Sequence, residues 1–131
     1  MVRVSEEVIP ALIEAFPGKV EEIPTGNDGI PQVYIASDVH HEAAMWLKQR
    51  GFHMLVDVTA ADYWPKRDPR FEFVYHLRQM PDKDPKAPYG LGMIRIRVRL
   101  RDGEPVHTLS HIWEMAIAAE PGAQGCQVSV V

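Results

Sequence analysis

The stretch Ile94-Arg95-Ile96-Arg97-Val98-Arg99-Leu100-Arg101 alternates aliphatic and cationic side chains without a break. A pleated strand sends successive side chains to opposite faces. This period of two therefore specifies a strand with one dry face and one solvated or ion-paired face. Gly103 ends the pattern. Upstream, Phe71, Phe73, Tyr75 and Leu77 alternate with Glu72, Val74, His76 and Arg78, and the segment from His53 to Tyr63 is rich in Val and Thr. Non-helical links join the segments 52–63, 70–80 and 92–101, which predicts an antiparallel meander. The polar, proline-rich run from Pro81 to Gly90 reads as the loop before its last strand.

The N-terminal half follows a different rhythm. Ser5 is placed to cap a first helix, with Glu6 and Glu7 in its positive first turn. Ile9, Leu12, Ile13 and Phe16 recur at helical spacing until Pro17-Gly18. Val20 to Ile23 and Gln32 to Ala36 read as short strands flanking the turn Gly26-Asn27-Asp28-Gly29. Asp38 is a candidate N-cap for a helix over 39–50, with Ala43, Trp46 and Leu47 on one face and Gly51 as its stop. A last helix is predicted near Thr108, containing Ile112, Trp113 and Met115 and ending at Pro121-Gly122. The order α-β-β-α-β-β-β-α predicts a two-layer α+β fold: a mainly antiparallel sheet with helices packed on one face. It predicts a single domain over 1–120 and an irregular tail over 121–131.

Composition narrows the function. A chain of 131 residues with 46% apolar and 24% charged residues has ordinary globular usage. Its net charge of −4 argues against a nucleic-acid partner, because phosphate contacts need a basic surface. Cys126 is the single cysteine. An internal disulfide and a thiolate-only iron–sulfur or zinc site are therefore ruled out, and a reduced compartment fits. Met1 to Glu7 carries no apolar leader, and no run approaches the ~18 apolar residues of a membrane helix. A soluble, cytoplasmic protein is expected, reaching a membrane only through a partner.

The motifs of common catalysis are missing. No Gly-x-Gly-x-x-Gly opens a helix after a strand, and no phosphate-cradling Gly-Lys-Ser/Thr, nucleophile elbow or His-Glu-x-x-His occurs. His107 and His111 stand four apart, a usable metal spacing that lacks an evident third ligand. His40 and His41 are adjacent and point to different faces. Asp57 and Asp62 lie in an otherwise apolar strand. They read as strand-end acids that pair with one of the arginines in 95–101 or bind a backbone amide, although an acid–base enzyme using Asp57 or Asp62 with His76 is the catalytic alternative. Cys126 has no histidine beside it. Arg95, Arg97, Arg99 and Arg101 form a basic stripe on a solvated or partner-facing strand, and Trp46 and Trp113 read as core or interface residues. Arg95, Arg97, Arg99 and Trp113 are thus the candidate interface residues. A solvated Arg97 predicts a loss under about 1 kcal/mol for Arg97→Ala. A second alternative is a generic interaction module that offers the strand 92–101 as an edge.

Several pieces in order carry a family resemblance. Gly51-Phe52 is followed by Asp57-Val58-Thr59-Ala60-Ala61-Asp62-Tyr63, then by Pro69-Arg70-Phe71-Glu72-Phe73-Val74-Tyr75-His76-Leu77. The alternating strand Arg95 to Leu100 comes next, then Thr108-Leu109-Ser110-His111-Ile112-Trp113. Over roughly residues 5–120 this resembles the N-terminal domain of the C subunit of respiratory NADH:quinone oxidoreductase (complex I). The family's Glu-Arg-Glu-x-x-Asp signature would begin at Glu120, but Pro121, Gly122 and Gly125 stand at its Arg, second Glu and Asp positions. This departure implies a truncated, divergent or altered sequence after Glu120. The resemblance implies a protein with no cofactor of its own and no catalytic residues. It would sit in the peripheral arm at the cytoplasmic face of the membrane, against the D subunit and near the B and I subunits.

Overall fold

The computed structural model describes residues 4–62, 71–79, 92–101, 109, 112 and 113. A π-helical stretch, Val4–Val8, leads into helix α1, Ile9–Ala15. The hairpin β1 (Val20–Ile23) and β2 (Gln32–Ile35) follows. Helix α2, His40–Gln49, then feeds the meander β3 (Met54–Asp62), β4 (Phe71–Arg78) and β5 (Met93–Leu100). The predicted loop 81–90, the last helix and the tail 121–131 lie outside the described residues, apart from Leu109, Ile112 and Trp113.

The five strands form one sheet in the order β1-β2-β5-β4-β3. The β3-β4-β5 meander is antiparallel, as its alternation predicts. Beyond the sequence reading, β2 lies parallel to β5, pairing Val33 with Ile96 and Gln32 with Arg95. The Arg95 amide adds a 2.9 Å bond to the Pro31 carbonyl. This pairing corrects one alternative, since β5 lies between β2 and β4 and is not an edge. A strictly alternating strand buries one face wherever it stands in a sheet, so alternation does not reveal edge position.

The pleat sorts the residues. Ile94, Ile96, Val98 and Leu100 are at most 2% exposed and lie opposite Leu77, Tyr75, Phe73 and Phe71. They join Val33 and Ile35 of β2, Leu55 and Val58 of β3, Ile9 and Leu12 of α1, and Ala43, Ala44 and Leu47 of α2 in one apolar cluster. Both helices therefore cover the same face. The His40 ring, at the start of α2, is centred 6.1 Å from the Tyr75 ring on that face. β3 carries a bulge between Leu55 and Asp57, so the extra residue Val56 resets the pairing and brings Asp57 opposite His76.

Both predicted helix caps move. Pro10 has no amide to donate, so it sits in the first turn of an α-helix that begins at Ile9 with Val8 at its N-cap. Val39 precedes α2 with no side-chain cap, because the Asp38 carboxylate instead accepts from Lys19 Nζ at 2.7 Å. That cation holds the Asp38 carboxyl below its ordinary value. The α2 stop is the predicted one, with Gly51 at φ +98°.

Phe73 and Ile96 face each other's neighbours in the centre of this cluster and are 0% and 2% exposed. Phe73→Ala or Ile96→Ala should each remove about 2–5 kcal/mol of stability in urea melts. A loss well below 1 kcal/mol would refute this assignment of the faces.

Candidate functional site

The sheet face away from the helices is assembled by register. β4 and β5 set His76 beside Arg95, Val74 beside Arg97 and Glu72 beside Arg99. β2 adds Gln32 and Tyr34 beside Arg95 and Arg97, while β1 sets Glu21 beside Tyr34 and β3 sets Asp57 beside His76. Residues of all five strands thus meet on one largely polar face, with Val74 buried among them.

Its first row crosses four strands and a loop. His76 Nδ1 lies 2.5 Å from Asp57 Oδ1, and Arg95 Nε donates to His76 Nε2 at 2.8 Å. The far side of the Arg95 guanidinium donates to Gln32 Oε1 at 3.2 Å and to Asp28 Oδ2. Asp28 reaches it from the turn between β1 and β2, where the other carboxylate oxygen accepts from the Ile30 amide at 3.1 Å. The Arg95 hydrogen bond first, and the Ile30 amide second, hold the Asp28 carboxyl below its ordinary value of 3.8. With its side chain only 12% exposed, Arg95 is a clamped cation and no longer a solvated one.

The second row centres on Arg97. Its Nε donates to Gln32 Oε1 at 3.0 Å and its Nη1 to Glu72 Oε1 at 3.3 Å. Gln32 thus serves two arginines with one oxygen while its amide nitrogen donates to the Pro24 carbonyl at 2.8 Å. Glu72 is 1% exposed, so the expectation of a freely solvated Arg97 is corrected. A carboxylate taken out of water needs its counter-charge close by. In the third row Arg99 Nη2 meets Glu21 Oε2 at 3.1 Å, and its guanidinium lies 3.6 Å from the Tyr34 ring centroid. An open cleft of about 340 Å³ beside this row is lined by Lys19, Glu21, Tyr34 and Arg99, among others.

The structure brings together Asp57, His76 and the three arginines. Asp62 stands at the other end of β3, opposite Phe71. The Asp57–His76 pair has the contact that an acid–base enzyme would need, but the lone pair on Nε2 already accepts from Arg95. A general base needs that lone pair for its substrate. Trp113 is 4% exposed and donates from Nε1 to the Phe52 carbonyl at 2.9 Å, which places it in the core behind the sheet. Trp46 is half-buried beneath the Arg50 guanidinium, 3.5 Å from the ring centroid. His40 is 2% exposed, with Nδ1 3.4 Å from the Ser37 carbonyl. His107, His111 and Cys126 lie outside the described residues. Among the described residues no cluster of three or more His, Cys, Asp or Glu has metal-holding geometry, and no helix is long and apolar enough to cross a membrane.

Asp28, Gln32, Glu21 and Tyr34 escaped the sequence reading. Their signal was present as the polar parity of β2 (Gln32 and Tyr34 against Val33 and Ile35) and as an aspartate in a tight turn. What it lacked was the knowledge that β2 adjoins β5.

Residues 33–123 match the family described as "Respiratory-chain NADH dehydrogenase, 30 Kd subunit". The chain is 35% identical over 101 residues to the C subunit of the NADH-quinone oxidoreductase of Moorella thermoacetica, covering 76% of this chain and 61% of that protein. It is 31% identical over 113 residues to the second-numbered C subunit of the NADH-quinone oxidoreductase of Rhizobium meliloti, covering 82% and 56%. The chain thus spans little more than half the length of these curated relatives. Among solved structures, a trypsin-resistant fragment (1-134) of Nqo5 shares the fold with a TM-score of 0.74 at 22% identity, covering 98% of this chain and 96% of the fragment. A chain of the membrane-bound sulfane sulfur reductase, an archaeal respiratory membrane complex, does so with a TM-score of 0.65 at 19% identity, covering 96% and 69%.

The rows differ in what their loss costs. Arg97→Ala strips a partner from buried Glu72 and should cost on the order of 1–3 kcal/mol in urea melts. Arg99→Ala, in a pair exposed 38% and 72%, should cost under about 1 kcal/mol. Equal losses would contradict the burial difference. The depressed carboxyl of Asp28 contributes its stability above the ordinary 3.8 and loses it as the pH falls through the lower folded value. Asp28→Asn should therefore flatten the stability curve below about pH 4 and leave its slope unchanged near neutrality, as acid titration by circular dichroism would show.

Proposed function

The chain belongs to the family of the respiratory-chain NADH dehydrogenase 30 kDa subunit, and from that premise we propose that it is a non-catalytic assembly subunit of an NADH:quinone oxidoreductase. In this reading it transfers no electrons and binds no cofactor. It docks onto the D subunit of the peripheral arm, with the B and I subunits nearby, at the cytoplasmic face of the membrane. It reaches the membrane only through the complex.

The observation that carries the reading is the polar sheet face. Three arginines are held in place before any partner arrives: Arg95 by His76, Gln32 and Asp28, Arg97 by Gln32 and Glu72, and Arg99 by Glu21 and Tyr34. Fixing such side chains in advance lowers the ordering cost of association. Arg99 and Glu21 are the most open members of the rows and suit a docking rim, while Trp113 braces the sheet from behind. A face whose ions are already matched favours a partner that meets it with complementary polar groups. The names of the relatives, each a C subunit of an NADH-quinone oxidoreductase, support the same assignment.

Deleting the chain from its host should stop the peripheral arm from assembling and abolish NADH-dependent quinone reduction. Coexpression with a D-type subunit should give a complex that survives gel filtration, and Arg99→Glu should slow its formation because a rim charge acts mainly on association. Normal assembly and quinone reduction without the chain would overturn the proposal.

A further inference from the structure

The first polar row holds a device that docking does not require. A neutral imidazole has one N–H donor and one acceptor nitrogen, whereas the guanidinium Nε–H can only donate. Arg95 Nε lies 2.8 Å from His76 Nε2, so that nitrogen must be the acceptor. The ring proton is left on Nδ1, aimed at Asp57 Oδ1 at 2.5 Å. The two neighbours thus fix the tautomer. A proton added to His76 can go only to Nε2. It removes the acceptor and sets an imidazolium against a guanidinium, while the bond to Asp57 survives. The whole disturbance therefore falls on Arg95, the residue that also holds Gln32 of β2 and Asp28 of the β1–β2 turn.

We infer that His76 is an acid-sensitive latch: neutral, it clamps Arg95 and through it the Asp28 turn; protonated, it releases them. Charged groups face His76 from each element packed against its side of the sheet. Asp57 faces it from β3, Arg95 from β5 and Asp28 from the turn, with Glu72 and Arg78 on the same face of β4 and Arg97 further along β5. The helices lie across the sheet, where His40 faces Tyr75. Asp28 is held below its ordinary value by Arg95, so its carboxylate stays ionised in mild acid. The latch lies on the face proposed for docking, but it stands or falls without a partner.

The test is nitrogen-15 and proton NMR on the full 131-residue chain. In alkaline solution His76 should show a protonated Nδ1 and a bare Nε2, and the Arg95 Nε–H should be protected from exchange. As the ring titrates, that protection should be lost and the amides of Gly29 and Ile30 should shift with the same midpoint. His76→Gln offers Arg95 an acceptor and Asp57 a donor without a titrating ring, so in this variant the Arg95 proton should stay protected throughout. An Nε2-protonated tautomer would overturn the inference. So would an Arg95 proton and turn amides that ignore the titration, or that change equally in His76→Gln.

Discussion

The pleat of β5 places four aliphatic side chains on one side of a single backbone and three guanidinium groups on the other. Because β5 lies inside the sheet, neither set can be resolved by turning the strand. A shift of register by one residue would push Arg95, Arg97 and Arg99 into the helix-covered core and lift Ile94, Ile96 and Val98 out of it. That penalty pins the meander, and the meander fixes where β2 can join. Val33 comes beside Ile96 and Gln32 beside Arg95, so the hairpin extends both faces at once.

The two faces do different work. On the helix side, apolar area removed from water supplies most of the favourable free energy, at roughly 25 cal/mol per Å². On the polar side, exposed pairs such as Arg99–Glu21 add little to stability. Partly desolvated pairs such as Arg97–Glu72 roughly offset their own desolvation. What the polar side contributes is definition. Gln32 accepts from two arginines, and Arg95 joins three strands and a turn. The hairpin is thereby held to the meander by directional bonds as well as by packing. Side chains fixed in this way have little conformational freedom left to lose.

Much was legible in the chain itself. The period of two in Phe71–Arg78 and Met93–Leu100, the turn before Gln32, the glycine stop at Gly51 and the order of elements up to β5 follow from local backbone and side-chain preferences. So does the two-layer arrangement, since every amphipathic element must bury its apolar face against another. The helix starts were less legible, because a cap is a competition. Asp38 had the chemistry to cap α2, and the Lys19 ammonium took it.

The amino-acid sequence by itself determined which residues alternate, which segments pair as neighbours in the chain, and that three arginines share a face. Only the tertiary structure decided that β2 runs parallel beside β5, that a bulge at Val56 brings Asp57 to His76, and that Glu72 is buried with Arg97. The physical reason is range. Alternation and turns are set by contacts between near neighbours in the chain. The polar rows depend on strands separated by up to 78 residues, as in the Arg99–Glu21 pair, whose proximity emerges when the whole core closes.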